Sequence, residues 1–593
     1  MCGIFSILNN DNAFLENFIT EQFLKGKSRG PENSILKNIT IQCEFGFHRL
    51  AINGLNDESN QPLIIDEISL ICNGEIYNYK ELYELIGIKG STDSDCEIII
   101  HLYKKYGIEY TLQMLDGVFA FVLCDYRINN LESKIFIARD PFGIRPLYKL
   151  TSNDKDKNTN IFENISIFAS EIKVLSEFYK CINDTHSIQH FQPGTYSEYM
   201  LPFKVSTKWK LIREDVRYYS TGFNSIMYSN IDDNSVKYIE DTNINHEPYQ
   251  RLNNDPLIII IKNIQRFFIN AVKKRVIVTD RPIACLLSGG LDSSLVTALV
   301  SKELQKKNIK LNTFSIGLKD SEDLRYAKIV SNYLGTNHTE IIITEQIIFD
   351  SIPNVIKAIE SFDTTTVRAS IGNYLLGDYI KEISDAKVIF NGDGSDELTG
   401  GYLYMKLAEN SIEFDKETRR LLNDIHMFDV LRSDKCISSH GLEPRTPFLD
   451  RSFVDYYLSI HPSIRFHEQH NQIEKYLLRL AFSSSYYLNN NKTSLLPDEI
   501  LWRKKEAFSD GISKTTSFSQ IIESYLNKDE NLIKKINNKS NNTNISNNTI
   551  EQKYYKYLFD SYYPNTSNIV PYMWMPKYIE STDPSARHTF SLL

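Results

Sequence analysis

The spacing of apolar residues differs between the two halves of the chain, and the change falls near residue 255. In the first half, short uninterrupted apolar runs occur at 70–72, 118–124 and 135–138. Runs of this length predict buried β-strands, so we expect the first half to be built mostly from strands. The dipeptide Asn73-Gly74 follows the first run and is typical of a turn.

The second half alternates between helix and strand patterns. One set of apolar residues has helical spacing and consists of Ile264, Phe267, Phe268, Ala271, Val272 and Val276. Apolar runs at 283–287, 313–316 and 387–390 predict strands, and a second helix pattern ends at Gly335, a typical helix stop. Strands that alternate with helices predict a parallel α/β sheet whose ligand loops lie at the carboxyl ends of the strands.

Three polar stretches predict surface loops rather than core. They lie at 152–160, at 220–254 and at 537–548, where seven of twelve residues are Asn. Such segments bury too little apolar surface to offset the entropy of ordering. We therefore expect a first domain at 1–203, a linker or insertion at 204–255, and a second domain at 256–593 with an insertion near 537–549.

Composition excludes several classes of function. The 593 residues carry a net charge of -9, which argues against nucleic-acid binding because that requires clustered cations. We find no apolar run of the ~18–20 residues that a membrane helix needs, and the N-terminus lacks the features of a signal peptide. The eight cysteines form no Cys-x-x-Cys pair, so the sequence indicates neither a zinc site nor a disulfide framework and fits the reducing cytoplasm.

Cys2 is a candidate nucleophile. Removal of Met1 would leave Cys2 with a free α-amine, whose pKa is ordinarily about 7.7–8.0. Such an amine can serve as a built-in base for the neighbouring thiol. Taken alone, however, Cys2 is more readily explained as an ordinary second residue, since every chain has one.

The glycine-rich segment 288–294 lies between a strand pattern and a helix pattern. Its glycines would let the backbone approach an anion, and the following helix N-terminus would direct N–H groups at that anion. The segment lacks the Gly-Lys-Ser/Thr of a Walker P-loop. From these residues alone, an anion-binding loop and a plain capped turn both remain open.

An ordered series of short motifs runs through the first 200 residues: Met1-Cys2-Gly3-Ile4, Arg29-Gly30-Pro31, His48-Arg49-Leu50-Ala51-Ile52, Asn73-Gly74-Glu75, Ser94-Asp95, Arg139-Asp140-Pro141 and Ala169-Ser170-Glu171. This series resembles the class II glutamine amidotransferase domain, an N-terminal-nucleophile glutaminase. The resemblance implies an α+β fold of layered antiparallel sheets with helices.

The same resemblance implies a role for each residue of the glutaminase site. Cys2 would attack the glutamine amide and release ammonia, while the Asn73 side chain and the Gly74 N–H would stabilise the oxyanion. The implied glutamine-binding residues are Arg49 for the substrate carboxylate, Leu50, Ala51, Ile52, Asn53, Asn73, Gly74, and Glu75 with Asp95 for the ammonium group. Glu32 stands where the family usually has Asp, and we expect little effect.

A second series of motifs covers the chain from about residue 256: Ser288-Gly289-Gly290-Leu291-Asp292-Ser293, Thr365-Thr366-Val367-Arg368, Gly392-Asp393-Gly394-Ser395-Asp396-Glu397, Glu443-Pro444-Arg445 and Trp502-Arg503-Lys504-Lys505. This series resembles the ATP-pyrophosphatase-type synthetase domain of the glutamine-hydrolysing asparagine synthetases. The two resemblances together cover most of the chain.

The second resemblance implies synthesis of L-asparagine from L-aspartate through β-aspartyl-AMP, with ATP as co-substrate and Mg²⁺ as cofactor. The implied ATP-binding residues are Leu286, Ser288, Gly289, Gly290, Asp292, Ser293, Ile316, Asn391 and Gly392. Asp292 and Asp396 would hold Mg²⁺, and Thr365 and Arg368 would contact aspartate. Asp393 and Lys505 would be catalytic, although Asn391 and Asp393 replace the usual Ser and Glu.

The implied partners are the small molecules L-glutamine, L-aspartate and ATP, without nucleic acid or membrane, and a homodimer remains open. Other glutamine amidotransferases share the first series of motifs but not the second. A β-lactam-forming relative would lack a working glutaminase, which Cys2 and Arg49 disfavour. A catalytically weakened amino-acid-sensing or scaffold relative is the remaining alternative, and the intact Cys2, Asn73, Asp292 and Asp396 argue against it.

Overall fold

The computed structural model describes residues 1–127, 132–153, 164–202, 207–221, 256–470, 472–489, 492–505, 512, 517–540 and 549–579. In the first half, the described strands are β1 (Gly3–Leu8), β2 (Asn33–Thr40), β3 (Cys43–Arg49), β4 (Leu63–Ile65), β5 (Ile68–Ile76), β6 (Gly117–Asp125), β7 (Glu132–Arg139), β8 (Tyr148–Ser152), β9 (Ser166–Ala169), β10 (His186–His190), β11 (Thr195–Pro202) and β12 (Lys210–Arg217). The described helices there are α1 (Glu16–Leu24), α2 (Tyr79–Ile86), α3 (Ile98–Met114) and α4 (Ile172–Ile182).

These strands form two antiparallel sheets, in the orders β10-β8-β9-β1-β3-β2 and β12-β11-β7-β6-β5-β4. Apolar side chains from both sheets pack together in one cluster: Ile4 and Leu8, Phe45 and Phe47, Ile71, Val122, Ile135 and Ile137. Helices α1 and α4 cover the outer face of the first sheet, and α2 and α3 cover that of the second. The predicted α+β layering is confirmed, because each sheet packs against the other sheet on its inner side and against helices on its outer side.

Asn73-Gly74 does not form the expected turn. Strand β5 continues through both residues, and they pair with Ala120 and Phe119 of β6. The ladder with β6 outweighs the local turn preference of the dipeptide. Glycine is needed at 74, since a Cβ there would lie 2.4 Å from the carbonyl oxygen of Val118.

The segment predicted as a linker at 204–255 contains structure that belongs to the first half. Strand β12 lies within it and pairs with β11 at the edge of the second sheet, so residues 210–217 belong to that sheet. The surface loop predicted from 537 is helical at its start, because a helix runs from Glu530 to Ser540. The rest of that predicted loop (541–548), 154–160 of the first polar stretch and 222–254 of the middle one lie outside the described residues.

The second half contains the strands β13 (Ile283–Leu286), β14 (Asn312–Leu318), β15 (Asn337–Ile343), β16 (Val388–Phe390) and β17 (Glu443–Arg445). Its described helices are α5 (Pro256–Ile277), α6 (Leu291–Gln305), α7 (Glu322–Leu334), α8 (Glu345–Ile359), α9 (Thr364–Ile383), α10 (Ser395–Thr399), α11 (Ser411–Asp424), α12 (Asp429–Ser438), α13 (Arg451–Ser459), α14 (Pro462–Arg465), α15 (Tyr476–Ala481), α16 (Asp498–Leu501), α17 (Phe518–Leu526), α18 (Glu530–Ser540) and α19 (Ile550–Tyr562).

These five strands form one parallel sheet in the order β15-β14-β13-β16-β17, which confirms the predicted α/β architecture. Gly335 ends α7 in the left-handed region, with φ +69°. Because β13 and β16 are neighbours, the loops after their carboxyl ends lie side by side, where α/β sheets bind ligands. Among the described residues, the helices include none long and apolar enough to span a membrane.

Candidate active sites

Cys2 lies directly before β1, whose pairing with β3 sets its position. Its thiol donates to the Leu50 carbonyl oxygen at 3.6 Å, and Arg29 Nε donates to the Cys2 carbonyl oxygen at 2.9 Å. Burial raises the pKa of the Cys2 thiol, so at neutral pH the thiol is protonated and needs a base. The Met1 amine is itself buried, which lowers its pKa to about 6.

Asn73 provides an unpaired amide deep in the first half. The residue is 0% exposed, and neither its side-chain nitrogen nor its oxygen has a hydrogen-bond partner. An unsatisfied buried polar group costs about 1–3 kcal/mol, so most such groups are paired. Because this amide has no partner, it can donate a hydrogen bond to a ligand oxygen without breaking an existing hydrogen bond.

Arg49 is held by the loop that follows it. Its guanidinium donates to the Asn56 carbonyl at 2.8 Å, to Asn60 Oδ1 at 2.7 Å, and to the Gly54 carbonyl. The chain after Arg49 thus folds back onto the Arg49 guanidinium. We call the first part of this segment, residues 49–54, the 49–54 loop. This arrangement fixes the direction of a cation suited to a carboxylate.

Two buried carboxyl groups, those of Glu75 and Asp95, lie at and beside the end of β5. Asp95 accepts from the Ile76 N–H at 2.6 Å, and burial raises its pKa to about 6. Glu75 accepts from the Asn53 amide, and burial together with Glu443 and Asp95 raises its pKa well above the ordinary range. A cation bound between these two buried carboxyl groups would be stabilised, because its charge favours the ionised form of both.

The second site is a cavity of about 180 Å³ at the carboxyl ends of β13, β14 and β16. The predicted ATP-binding residues that line it are Leu286, Ser288, Gly290, Asp292, Ser293, Ile316, Asn391 and Gly392. Gly289 instead packs against α7, where a Cβ would lie 2.5 Å from the backbone nitrogen of Ala327. The Ser288 and Ser293 hydroxyls are 3.1 Å apart beside the first turn of α6, and the N-cap position of that helix, Gly290, provides no side-chain cap.

Lysines and aspartates alternate along one wall of this cavity. Lys475 Nζ lies 2.6 Å from Asp292 Oδ2 and 2.5 Å from Asp396 Oδ1. Lys505 also pairs with Asp396, and the two lysines hold the pKa of Asp396 well below its usual range. The wall therefore combines charges of both signs, as recognition of a metal–phosphate group requires.

Sequence reasoning missed Lys475. It lies just before α15, with φ +59°, and its side chain reaches the cavity from a segment without a recognised motif. Its neighbours in the chain are ordinary helix residues, so the local pattern contains no signal for a site. Only the fold brings it to Asp292, 183 positions away.

Asp292 and Asp396 suit Mg²⁺ in number and type. Across the described residues, three or more His, Cys, Asp or Glu side chains nowhere come together as a metal cluster. Mg²⁺ is usually bound through one or two carboxylates plus substrate phosphates, so a pair of aspartates linked by one lysine fits it.

Asp393 lines the same cavity, and Arg432, which the sequence did not single out, holds it. Asp393 Oδ1 accepts from Arg432 Nη2 at 3.2 Å, whereas Asp393 Oδ2 is buried without a partner. Burial raises the pKa of Asp393 despite the nearby guanidinium. Asn391 fixes the loop, since its amide donates to Ser433 Oγ at 2.7 Å and its oxygen accepts from the Asp393 N–H at 3.3 Å.

The two predicted aspartate contacts lie in different surroundings. Thr365 borders a small adjoining cavity with Glu397 and Tyr402, and its buried hydroxyl has no partner. Arg368 does not line either cavity; its guanidinium makes two hydrogen bonds to Glu551, at 2.8 and 2.6 Å. The structure thus brings Thr365 to the site but pairs Arg368 with α19 instead.

Comparison with known proteins covers both halves. Residues 1–236 match the glutamine amidotransferase domain family, and residues 263–415 and 406–568 match the asparagine synthase family. The chain is 39% identical over 609 aligned residues to the chicken protein called asparagine synthetase [glutamine-hydrolyzing], covering 99% of this chain and 98% of that one. The human protein of the same name is 37% identical over 599 residues, with 99% and 98% covered.

Proposed function

Because the chain belongs to the glutamine-hydrolysing asparagine synthetase family, we propose a role for each residue that its two sites bring together. The enzyme is an ATP-dependent carbon–nitrogen ligase. It makes L-asparagine from L-aspartate through β-aspartyl-AMP, using ammonia released from L-glutamine, with AMP, pyrophosphate and L-glutamate as the other products.

The glutaminase reaction begins at Cys2. After removal of Met1, the Cys2 α-amine takes the thiol proton, and the thiolate attacks the glutamine amide carbon. The Asn73 amide and the Gly74 N–H donate to the oxyanion; one such donor contributes about 2.7–4 kcal/mol. Collapse of this intermediate leaves a thioester and expels ammonia, whose third proton comes back from the Cys2 α-ammonium group. Water then hydrolyses the thioester to glutamate and frees the thiol. The observation that carries this proposal is the fully buried Asn73 amide without a hydrogen-bond partner.

Substrate binding in this half uses charge at both ends of glutamine. Arg49, held by the Gly54 and Asn56 carbonyls, would pair with the α-carboxylate. The remaining residues of the 49–54 loop would line the pocket. Glu75 and Asp95 receive the α-ammonium group, whose positive charge favours ionisation of both carboxyl groups.

In the synthetase half, the aspartate β-carboxylate attacks the α-phosphorus of ATP and displaces pyrophosphate. The segment from Ser288 to Ser293 and the start of α6 hold the phosphates, while Lys475 and Lys505 neutralise the charge that develops on them. Asp292 and Asp396 would hold Mg²⁺, which supplies charge neutralisation on the pyrophosphate. Thr365 donates its unpartnered hydroxyl to the aspartyl group.

Ammonia then attacks β-aspartyl-AMP. The attacking nitrogen must lose a proton, and the free Oδ2 of Asp393 can accept it. Arg432 on the opposite oxygen keeps the carboxylate turned toward the cavity.

Two further observations bear on the location and the domain organisation of the enzyme. All eight cysteines are free, which supports a reducing, cytoplasmic location. We place the domain boundary after β12, since that strand completes a sheet of the glutaminase half. A homodimer remains an expectation.

A Cys2→Ala variant tests the division into two sites. We expect loss of glutamine-dependent asparagine synthesis while synthesis from ammonium continues, because ammonium bypasses the first site. Pyrophosphate release and asparagine should be measured with each nitrogen source. A folded variant that loses the ammonium reaction as well would contradict the proposal.

A further inference from the structure

Two residues of the synthetase half form hydrogen bonds with the 49–54 loop. We propose that Asp280 and Arg281, which precede β13, are positioning residues that hold the 49–54 loop in its glutamine-binding shape. The inference rests on the proposed assignment of this loop to glutamine. The observations behind the inference are the hydrogen bonds between these two residues and the loop, together with an ion pair between Arg281 and Glu32.

Asp280 holds the far end of the loop. Its backbone N–H donates to the Ile52 carbonyl at 2.9 Å, and its Oδ2 accepts from the Gly54 N–H at 3.0 Å. Gly54 has φ +60°, a conformation that favours glycine, and its carbonyl accepts from Arg49. Asp280 is therefore linked through a single residue, Gly54, to the Arg49 guanidinium that binds the substrate carboxylate.

Arg281 holds the middle of the loop together with Glu32. Arg281 Nε donates to the Ala51 carbonyl at 2.8 Å, and its Nη2 donates to Glu32 Oε1 at 2.7 Å. The other Glu32 oxygen accepts from the Ala51 N–H at 2.7 Å. Both backbone polar groups of Ala51 are thus fixed by one ion pair that joins the two halves of the chain. Glu32, which we expected to matter little, is part of this contact.

The position of these residues in the chain explains why the contact couples the halves. Arg281 lies two residues before β13, and the glycine-rich segment 288–294 begins two residues after that strand ends. A single central strand of the parallel sheet therefore has the 49–54 loop at one end and Ser288 at the other. The shape of the glutamine site then depends on a correctly folded synthetase half.

The test compares full-length Arg281→Gln and Asp280→Ala with the parent enzyme in both nitrogen-source reactions. We expect the KM for glutamine to rise about three- to tenfold, since hydrogen bonds to charged groups are lost at a partly exposed site. The KM and kcat with ammonium should stay at the parental values. Arg281→Lys, which keeps the charge near Glu32, should recover part of the loss.

Two further variants make the test specific. Glu32→Gln combined with Arg281→Gln should raise the glutamine KM by less than the product of the two single effects, because they share one contact. Arg451→Gln is the matched control: its guanidinium also joins the halves, donating to the Gln113 carbonyl at 3.1 Å, but away from the loop. We expect this control to leave the glutamine KM unchanged.

A parental glutamine KM in both folded variants, or an equal loss with ammonium, would overturn the inference. Arg49→Ala separates this outcome from failure of the proposed function. If Arg49→Ala raises the glutamine KM while Asp280→Ala and Arg281→Gln do not, only the positioning role is wrong. If none of the three raises it, the loop does not bind glutamine and both proposals fail.

Discussion

Replacing Asp393 by asparagine removes the proposed base while keeping the size of the side chain. An asparagine amide cannot accept a proton from ammonia, yet its oxygen can still accept the hydrogen bond from Arg432. Arg432 also keeps Asp429, whose Oδ1 lies 2.9 Å from Arg432 Nε. After the substitution, the Arg432 guanidinium still pairs with the Asp429 carboxylate. We therefore expect the unfolding free energy to change little.

The expected effect on rate is large. Loss of a general base typically costs about 10²–10⁴ in rate, which corresponds to about 2.7–5.5 kcal/mol of activation free energy. The loss should appear in asparagine formation from ammonium, because the base acts after adenylation. Pyrophosphate release in the first turnover and glutamate release from glutamine should stay near the parental rate. Asp393→Glu, which restores a carboxylate, should retain activity.

The pH profile gives an independent measure. Burial raises the pKa of Asp393, so the base is available above that pKa and is lost as the pH falls through it. The parent enzyme should therefore lose asparagine formation on the acid side at a higher pH than an ordinary Asp, with its pKa of about 3.9, would give. Asp393→Asn should lack that acid limb. If this variant makes asparagine at the parental rate, no carboxylate is needed at 393 and the reasoning fails.

Three other substitutions test other parts of the two sites. Asn73→Ala should lower the glutaminase kcat by about 10²–10³-fold without affecting synthesis from ammonium; a parental rate of glutamate release would exclude an oxyanion role. Lys475→Met should slow pyrophosphate release at least about tenfold with glutaminase retained, and an unchanged rate would remove Lys475 from phosphate binding. Arg368→Met leaves the buried Glu551 with the Tyr555 hydroxyl as a neutral donor, so denaturant unfolding should show a loss of about 3 kcal/mol. Adding Glu551→Met should recover most of this loss with a parental KM for aspartate; a raised KM would show that Arg368 contacts the substrate.

Much of the framework could be predicted from local patterns. The apolar runs at 118–124 and 313–316 became β6 and β14, and Gly335 ended α7 as its position indicated. These features depend on short continuous apolar runs and on the backbone preferences of single residues, both of which are visible within a few positions. The predicted ATP-binding residues came instead from the resemblance to the asparagine synthetases, and all of them except Gly289 line the cavity.

Tertiary structure decided the rest, since it depends on contacts between distant residues. Asn73-Gly74 stays in a strand because β6 pairs across it, against the local preference for a turn. Lys475 enters the ATP cavity, and Arg368 is kept out of it, through partners that lie 183 positions away in both cases. A charged side chain takes the partner that best offsets its loss of hydration, and that partner is known only once the chain has folded.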